Sequence, residues 1–118
     1  MNIKAFSELT GLSTYTLRYY EKIGLLKNVQ RTPSGRRVYT SKEVDWVRFI
    51  VRLKETGMPL GDILQYAELR ACGTVSHSER QQLLEEHRKQ LKAHLDTQLS
   101  HLQALDRKIE WYKAQEIH

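Results

Sequence analysis

Arginine and tyrosine side chains are concentrated in residues 12–40, and their spacing suits contact with a nucleic acid. Arg18, Tyr19 and Tyr20 follow one another on a short predicted helix, and residues 34–37, Ser-Gly-Arg-Arg, form the basic tip of a predicted hairpin. Cationic groups bind phosphates, and guanidinium and phenol groups can reach base edges. These residues are therefore candidates for a DNA-binding site.

Positive charge is unevenly distributed along the chain. Residues 1–60 contain 11 Lys and Arg against 5 Asp and Glu, whereas residues 61–118 contain 8 against 9. Residues 15–37 contain six cations and one acid, Glu21. Because the whole excess lies in one half of the chain, a polyanionic partner is favoured over a solvated surface. A membrane surface is disfavoured, since no basic amphipathic helix with a bulky apolar face occurs there.

Length and composition exclude several classes of protein. The 118 residues, 40% apolar and 28% charged, suit one small soluble domain. No apolar run approaches the roughly 20 residues of a membrane span. The N-terminus has no signal-peptide features, and a single cysteine, Cys72, excludes an internal disulfide. We therefore expect a cytoplasmic protein. We expect no catalysis, cofactor or metal site, because no phosphate loop, nucleophile elbow or metal-ligand cluster is present.

Two short helices around a glycine-containing turn are predicted at the N-terminus. Asn2 and Ser13 suit N-cap positions, and Gly11 and Gly24 end the helices, the second of which runs from Thr14 to about residue 22. Two short helices joined in this way are a helix-turn-helix pattern. The apolar residues predicted to face inward at helical spacing are Ile3, Phe6, Leu9, Leu17 and Tyr20.

A hairpin and two further helices follow. Residues 29–31 and 37–40 predict two strands, and the intervening Thr-Pro-Ser-Gly predicts the turn of a wing beside the second helix. Thr40 and Glu43 predict a capping box at the start of a third helix, and a fourth helix is predicted over residues 60–69. Their predicted inward residues are Val44, Val47, Ile50, Val51, Ile63, Leu64 and Ala67.

The C-terminal segment predicts one long helix, because residues 76–114 contain no Gly or Pro. Ser76 and Glu79 predict a capping box at its start. Such a helix would be about 58 Å long, too long to bury its seam on a small domain. We therefore expect a homodimer held by a coiled coil, with intramolecular packing as the alternative. The seam, spaced alternately by four and three residues, is Leu91, Leu95, Gln98, Leu102, Leu105, Ile109 and Tyr112.

Four blocks of sequence resemble, in order, the N-terminal domain of the MerR family of bacterial transcription regulators. They are residues 17–21 (Leu-Arg-Tyr-Tyr-Glu), 24–26 (Gly-Leu-Leu), 35–40 (Gly-Arg-Arg-Val-Tyr-Thr) and 56–60 (Thr-Gly-Met-Pro-Leu). The resemblance extends from Asn2 to about residue 69. It implies a mainly α fold: a winged helix-turn-helix domain (residues 1–73) with a small β-hairpin wing, a dimerisation helix (76–114) forming an antiparallel coiled coil, and a tail (115–118).

The resemblance also implies a function. Family members bind pseudo-palindromic operators in double-stranded promoter DNA with an unusually long spacer. They activate transcription by distorting that DNA so that RNA polymerase aligns with both promoter elements. Tyr15 and Arg18 would then face the major groove, and Tyr19 and Tyr39 would contact the DNA backbone, with core packing as the alternative for Tyr19. Tyr20 is expected in the core, and a second wing near residues 54–61. The remaining DNA-binding candidates are Thr14, Arg31, Ser34, Gly35, Arg36, Arg37 and Lys54, for whose cations a solubilising role is the alternative.

The signal is less well defined by the sequence. The chain most closely resembles a short subgroup associated with aldehyde or nitrosative stress, but Arg52 stands where that subgroup often has a cysteine before Leu53-Lys54. Cys72 is then the one candidate sensor, and a structural small hydrophobe is the alternative. A DNA-architectural or excisionase-like winged-helix protein without an effector is a second hypothesis, which the long helix disfavours.

A metal signal is not expected from the sequence. Metal-sensing members of the family carry paired cysteines at the end of the long helix, and this chain has none there. His87, His94 and His101 recur every seven residues, about 10 Å apart along one helix, too far to share a metal within one chain. We expect them to form a solvated flank of the coiled coil rather than a site across a dimer.

Overall fold

The structure, a computed structural model, describes residues 1–116, which form five α-helices, two short strands and one short turn of 3₁₀ helix. The described chain divides into two units, residues 1–83 and the residues from Leu84 onward. The predicted mainly helical fold, with a small two-stranded wing and a long C-terminal helix, is confirmed. The elements are α1 (Ile3–Thr10), α2 (Thr14–Ile23), β1 (Gln30–Arg31), β2 (Arg37–Val38), α3 (Ser41–Glu55), α4 (Leu60–Ala71), the 3₁₀ turn (Gly73–Ser76) and α5 (His77–Glu116).

The helix-turn-helix is formed by α1 and α2, with the local signals that the sequence predicts. The Asn2 side chain accepts a hydrogen bond from the amide of Ala5 at 2.9 Å, and Ser13 Oγ accepts one from Thr16 at 3.1 Å. Both caps satisfy amides that the first helical turn leaves unpaired. Gly11 ends α1 with φ of +74°, a left-handed conformation that a side chain would strain.

The core of the first unit contains most of the predicted inward residues. Phe6 from α1 is fully buried, and α1 packs against both α2 and α3. Leu9 was predicted to face inward but is 46% exposed. The last turn of α1 contacts α3 through its backbone instead, because Arg48 Nη2 donates a hydrogen bond to the Leu9 carbonyl at 2.9 Å. The predicted residues that are buried are Phe6, Leu17, Tyr20, Val44, Val47, Ile50, Ile63 and Ala67.

The wing strands are shorter than predicted. Arg31 pairs with Arg37 and Gln30 with Val38 in an antiparallel ladder of two residues on each strand. The second strand does not reach residue 40, because the backbone of Tyr39 pairs with the N-terminus. The Tyr39 amide donates to the Met1 carbonyl at 2.8 Å, and the Met1 ammonium donates to the Tyr39 carbonyl at 2.5 Å.

The predicted capping box at α3 is confirmed. Thr40 is the N-cap, and its amide donates to the Glu43 carboxylate at 3.0 Å. Burial raises the pKa of the Glu43 carboxyl, but hydrogen bonds from the side chain and backbone of Thr40 outweigh that effect, and the pKa lies below its usual value. The charged carboxylate is thus stabilised at the positive end of the helix dipole.

The predicted capping box at residues 76–79 is wrong. Ser76 is the last residue of the 3₁₀ turn, its side chain is buried, and α5 begins at His77. The Ser76 hydroxyl donates to the carbonyls of Leu69 and Gly73, and it accepts a hydrogen bond from Arg80 Nε at 3.0 Å. The last carbonyls of α4 have no partner within the helix and need hydrogen-bond donors. The Ser76 hydroxyl is used for this purpose and therefore does not cap α5.

Helix α5 contains 40 residues and is about 60 Å long. Leu91 is half-buried, and five of the predicted seam residues are more than half exposed: Leu95, Leu102, Leu105, Ile109 and Tyr112. Residues 115 and 116 of the predicted tail belong to this helix, and residues 117–118 lie outside the described part of the chain. None of the helices in residues 1–116 is long and apolar enough to cross a membrane.

Candidate nucleic-acid interface

Helix α2 buries one side and exposes the other within ten residues. Leu17 and Tyr20 are buried, as the spacing predicts, and they fix the rotation of the helix on the core. Tyr15 is 79% exposed and Tyr19 is 44% exposed, and Arg18 is also on the surface. The side chains suited to reading a groove therefore share the solvent face of one helix.

A shallow cavity lies where α1, α2 and the wing meet. Its volume is about 310 Å³. Arg18 comes from α2, and Arg36 and Arg37 come from the wing, so three guanidinium groups from two separate elements line one concavity. Guanidinium groups bind phosphates with two parallel hydrogen bonds. The lining residues are Asn2, Ile3, Arg18, Gly35, Arg36 and Arg37.

One carboxylate holds two of the wing arginines. Glu21 on α2 accepts a hydrogen bond from Arg37 Nε at 2.5 Å and another from Arg31 Nη2 at 3.2 Å. Arg31 Nη1 also donates to the Gly35 carbonyl at 3.1 Å. Within residues 1–116 neither Arg18 nor Arg36 forms an ion pair. Of the four arginines at this site, Arg18 and Arg36 are therefore the two that are available to bind an anion.

The wing tip is held in shape by its own hydrogen bonds. The Gly35 amide donates to the Thr32 carbonyl at 2.9 Å, and Gly35 adopts φ of +86°. The Arg36 amide donates to Thr32 Oγ1 at 3.1 Å, and the hydroxyls of Thr32 and Ser34 are 2.9 Å apart. The exposed tip thus presents Ser34, Gly35 and Arg36 on a defined turn, where a phosphate backbone can approach closely.

The predicted second wing is a short loop between α3 and α4. Thr56 caps α3, Gly57 is left-handed at φ +90°, and the Met58 amide donates to the Leu53 carbonyl at 2.9 Å. Lys54 is exposed at the end of α3, and its ammonium lies 3.2 Å from the Tyr20 hydroxyl. This hydrogen bond joins Lys54 to α2. Thr14, the first residue of α2, is half-buried.

The side chain of Tyr39 lies in the core of the first unit. It is 1% exposed and stacks on Phe6 with ring centroids 4.1 Å apart, which disfavours the predicted contact with the DNA backbone. Its hydroxyl is buried and has no hydrogen-bond partner among the described residues. Burial raises the pKa of the Tyr39 phenol and Glu21 raises it further, against the opposing effect of Arg37. The motif position is thus filled by a core residue beneath the wing.

The pairing of Glu21 with two wing arginines is not evident from the sequence. The sequence shows it as the one acid among six cations, and it lies three residues after Arg18 on the same helix. Its partners are 10 and 16 residues away along the chain, so only the folded wing brings them together. An isolated acid within a basic segment was the available signal.

The remaining candidates lie away from this interface. Cys72 is the C-cap of α4 and its side chain is exposed, which does not support the alternative of a buried small hydrophobe. His94 and His101 are exposed on α5. In the part of the chain that the structure describes, no group of three or more His, Cys, Asp or Glu residues is arranged to hold a metal ion.

Comparisons with known proteins agree with this geometry. The chain matches the model of the MerR HTH family regulatory proteins over residues 1–69 and the MerR DNA-binding model over residues 44–112. An uncharacterized HTH-type transcriptional regulator of Haemophilus influenzae is 38% identical over 107 residues, which cover 91% of this chain and 79% of the relative.

Two solved structures are similar over nearly the whole chain. One is a crystal structure described as a MerR family transcriptional regulator from Listeria monocytogenes, with a TM-score of 0.90 and 34% identity, covering 96% of this chain and 86% of that one. The other is a crystal structure of HiNmlR, a MerR family regulator lacking the sensor domain, bound to promoter DNA. It has a TM-score of 0.84 and 37% identity, with 95% of this chain and 89% of that chain covered.

The buried phenol of Tyr39 gives a first test. We expect Tyr39→Phe to leave the free energy of unfolding unchanged or to raise it, by up to roughly 1–3 kcal/mol, because an unpaired buried hydroxyl carries a desolvation cost. Urea denaturation measures this change. Fluorescence anisotropy on promoter DNA should show unchanged affinity, with Tyr19→Phe as the control at a half-exposed phenol. A tenfold loss of affinity in Tyr39→Phe, at unchanged stability, would restore the predicted DNA contact.

Proposed function

This chain belongs to the MerR family and is a DNA-binding transcription regulator rather than an enzyme, and we propose that it binds a pseudo-palindromic promoter operator as a homodimer and activates transcription by distorting the spacer. RNA polymerase would then be an indirect partner, aligned by the distorted DNA rather than held by this chain.

The observation that carries the proposal is the cavity shared by α2 and the wing. Arg18 and Arg36 line it from different elements, and neither is neutralised by an ion pair among residues 1–116. A recognition helix in the major groove and a wing beside it would bring these two groups to base edges and to phosphate. HiNmlR, which is bound to promoter DNA, supports this placement by its similarity over 95% of this chain.

Dimerisation is proposed from the seam on α5. Leu95, Leu102, Leu105 and Ile109 are each more than half exposed in the single chain, at spacings of seven, three and four residues. Complete burial of a fully exposed side chain of this size contributes about 1.5–3 kcal/mol, and each half-exposed seam residue would gain a part of that, so the seam favours a partner helix. The same helix of a second chain offers the same seam, and we propose the antiparallel pairing that the family resemblance implies.

Symmetry connects the dimer to its operator. A two-fold dimer presents two identical α2 helices, so its preferred DNA is an inverted repeat. Bending or twisting the DNA between two half-sites costs on the order of 1–6 kcal/mol. Phosphate contacts at both wings would offset that cost, which is how a protein can stabilise distorted spacer DNA without contacting every base pair.

A response to aldehyde or redox stress is proposed through Cys72. Its thiol is exposed, and it lies after the last residue of α4 and before the 3₁₀ turn that leads into α5. An adduct at this position would lie on the connection between the DNA-binding helices and the proposed dimer helix. That location, rather than any similarity to a sensor, supports the proposal.

The division of roles between the two arginines is testable. We expect Arg18→Ala to weaken binding to the operator by about 1–3 kcal/mol while changing binding to random DNA less, because it removes a base contact. Arg36→Ala should weaken both and reduce the salt dependence by about one ion for each protomer of the dimer, because it removes a phosphate contact from each. Anisotropy titrations over a range of salt measure both effects. Equal operator affinity for Arg18→Ala and the wild type would exclude α2 as the reading helix.

The seam is tested by placing a charge in it. We expect Leu102→Asp to convert the dimer to a monomer or aggregate, because an unpaired carboxylate within an apolar interface costs several kcal/mol. Gln103→Asp adds the same charge next to the seam and should remain dimeric. Light scattering with size-exclusion chromatography distinguishes the two. Wild-type stability and a clean dimer in Leu102→Asp would remove the coiled coil from the proposal.

The thiol response has a direct test. We expect Cys72→Ser to bind operator DNA normally but to lose the change in transcription that an aldehyde or a thiol oxidant causes in the wild type. Intact mass spectrometry of the wild type treated with the thiol oxidant should show one modification, which Cys72→Ser lacks. A wild-type response in Cys72→Ser would rule out thiol sensing and leave a non-covalent signal.

A further inference from the structure

The wing places two positively charged side chains opposite each other, which is unfavourable unless an anion lies nearby. Arg31 and Arg37 stand directly opposite each other in the ladder of β1 and β2. Like charges at opposed positions of an antiparallel pair destabilise it. The two strands are only two residues long, and a two-stranded hairpin of this size is at best marginally stable by itself.

Glu21 is the group that resolves this conflict. Its two carboxylate oxygens take different partners, Oε1 from Arg31 Nη2 and Oε2 from Arg37 Nε. Because Glu21 belongs to α2, the contact joins both wing strands to the helix that carries Arg18. The side chain of Glu21 is only 22% exposed, so these pairs are less screened than those of a fully exposed carboxylate.

The same contact sets which cations are available. With Glu21 ionised, two of the four arginines around the site are paired to it, and Arg18 and Arg36 are not. Binding to arbitrary DNA follows the number of cations free to neutralise phosphate. Pairing Arg31 and Arg37 therefore lowers binding to any sequence, while it fixes the wing position that Arg36 needs on a specific one.

We propose that Glu21 is a positioning residue that holds the wing on the recognition helix and thereby sets the ratio of operator binding to random binding. This inference rests on the proposed function, because it takes Arg18 and Arg36 as the groups that contact DNA. It assigns no DNA contact to Glu21 itself. Its effect passes through Arg31 and Arg37.

The first experiment compares binding to two duplexes of equal length. One is selected from a random pool by the wild-type protein, and the other is its scrambled sequence. For Glu21→Gln we expect the ratio of the two affinities to fall about tenfold, mainly through tighter binding of the scrambled duplex, with a salt dependence steeper by about one ion for each protomer. Glu8→Gln, at an exposed position on α1, makes the same change in net charge and should keep the wild-type ratio.

Two further variants separate positioning from charge. Glu21→Asp keeps the charge but is one methylene shorter, so it should lower the ratio without steepening the salt dependence. In an Arg31→Gln, Arg37→Gln background, Glu21→Gln should no longer change the ratio. The inference is overturned if Glu21→Gln keeps the wild-type ratio, or if its effect persists unchanged in that background.

A measurement on the free protein keeps this test independent of DNA. The Thr32 amide donates to the Arg36 carbonyl at 2.8 Å across the wing turn. We expect hydrogen exchange at the Thr32 amide to become several-fold faster in Glu21→Gln and to stay unchanged in Glu8→Gln. If the wild type selects no sequence from the pool, the proposed function fails, while faster exchange still supports the positioning role. Unchanged exchange in Glu21→Gln would overturn it.

Discussion

The wing has too little structure of its own to hold a defined position, and the site depends on what anchors it. Its two strands share a ladder of two residues each. On one side Glu21 joins both strands to α2, and on the other Met1 pairs with the backbone of Tyr39 directly after β2. Tyr39 in turn stacks on Phe6 of α1. Each anchor lies in the helix-turn-helix or directly before it, so the two parts of the proposed DNA site are joined by contacts within one unit.

Tyr39 is buried as part of this anchor, although its phenol could also bind a phosphate. A tyrosine at the base of a basic hairpin is well suited to hydrogen-bond a phosphate, and the family resemblance assigns it that role. In the structure its ring fills the space between the wing and α1, and its hydroxyl is left without a partner among residues 1–116. The aromatic area gained by stacking offsets the loss of a hydrogen bond. The phosphate contact is therefore proposed for Arg36, which remains at the surface.

Features determined within a few residues could be predicted from the sequence, and features determined by distant contacts could not. The caps Asn2, Ser13 and Thr40 and the glycine ends of α1 and α2 depend on local hydrogen bonds and backbone conformation, and they were predicted correctly. Ser76 is followed three residues later by a glutamate, as Thr40 is, but its hydroxyl donates a hydrogen bond to the Leu69 carbonyl of α4 instead of capping α5. The exposed solvent face of α2 followed from periodicity. The ion pairs of Glu21 with Arg31 and Arg37 could not be predicted in this way, because these arginines approach Glu21 only after the hairpin folds.

The proposed dimer follows from a comparison of the two units. In residues 1–83 the large apolar side chains mostly face a shared core, whereas the seam residues of α5 beyond Leu91 remain exposed in the single chain. Isolated exposed apolar residues are ordinary, but a row of them at alternating spacings of three and four is a surface shaped for another helix. A basic site of two free arginines is small for a specific DNA complex. Doubling it by a two-fold axis doubles the phosphate contacts without enlarging the fold, and the seam is the part of this chain that can supply that axis.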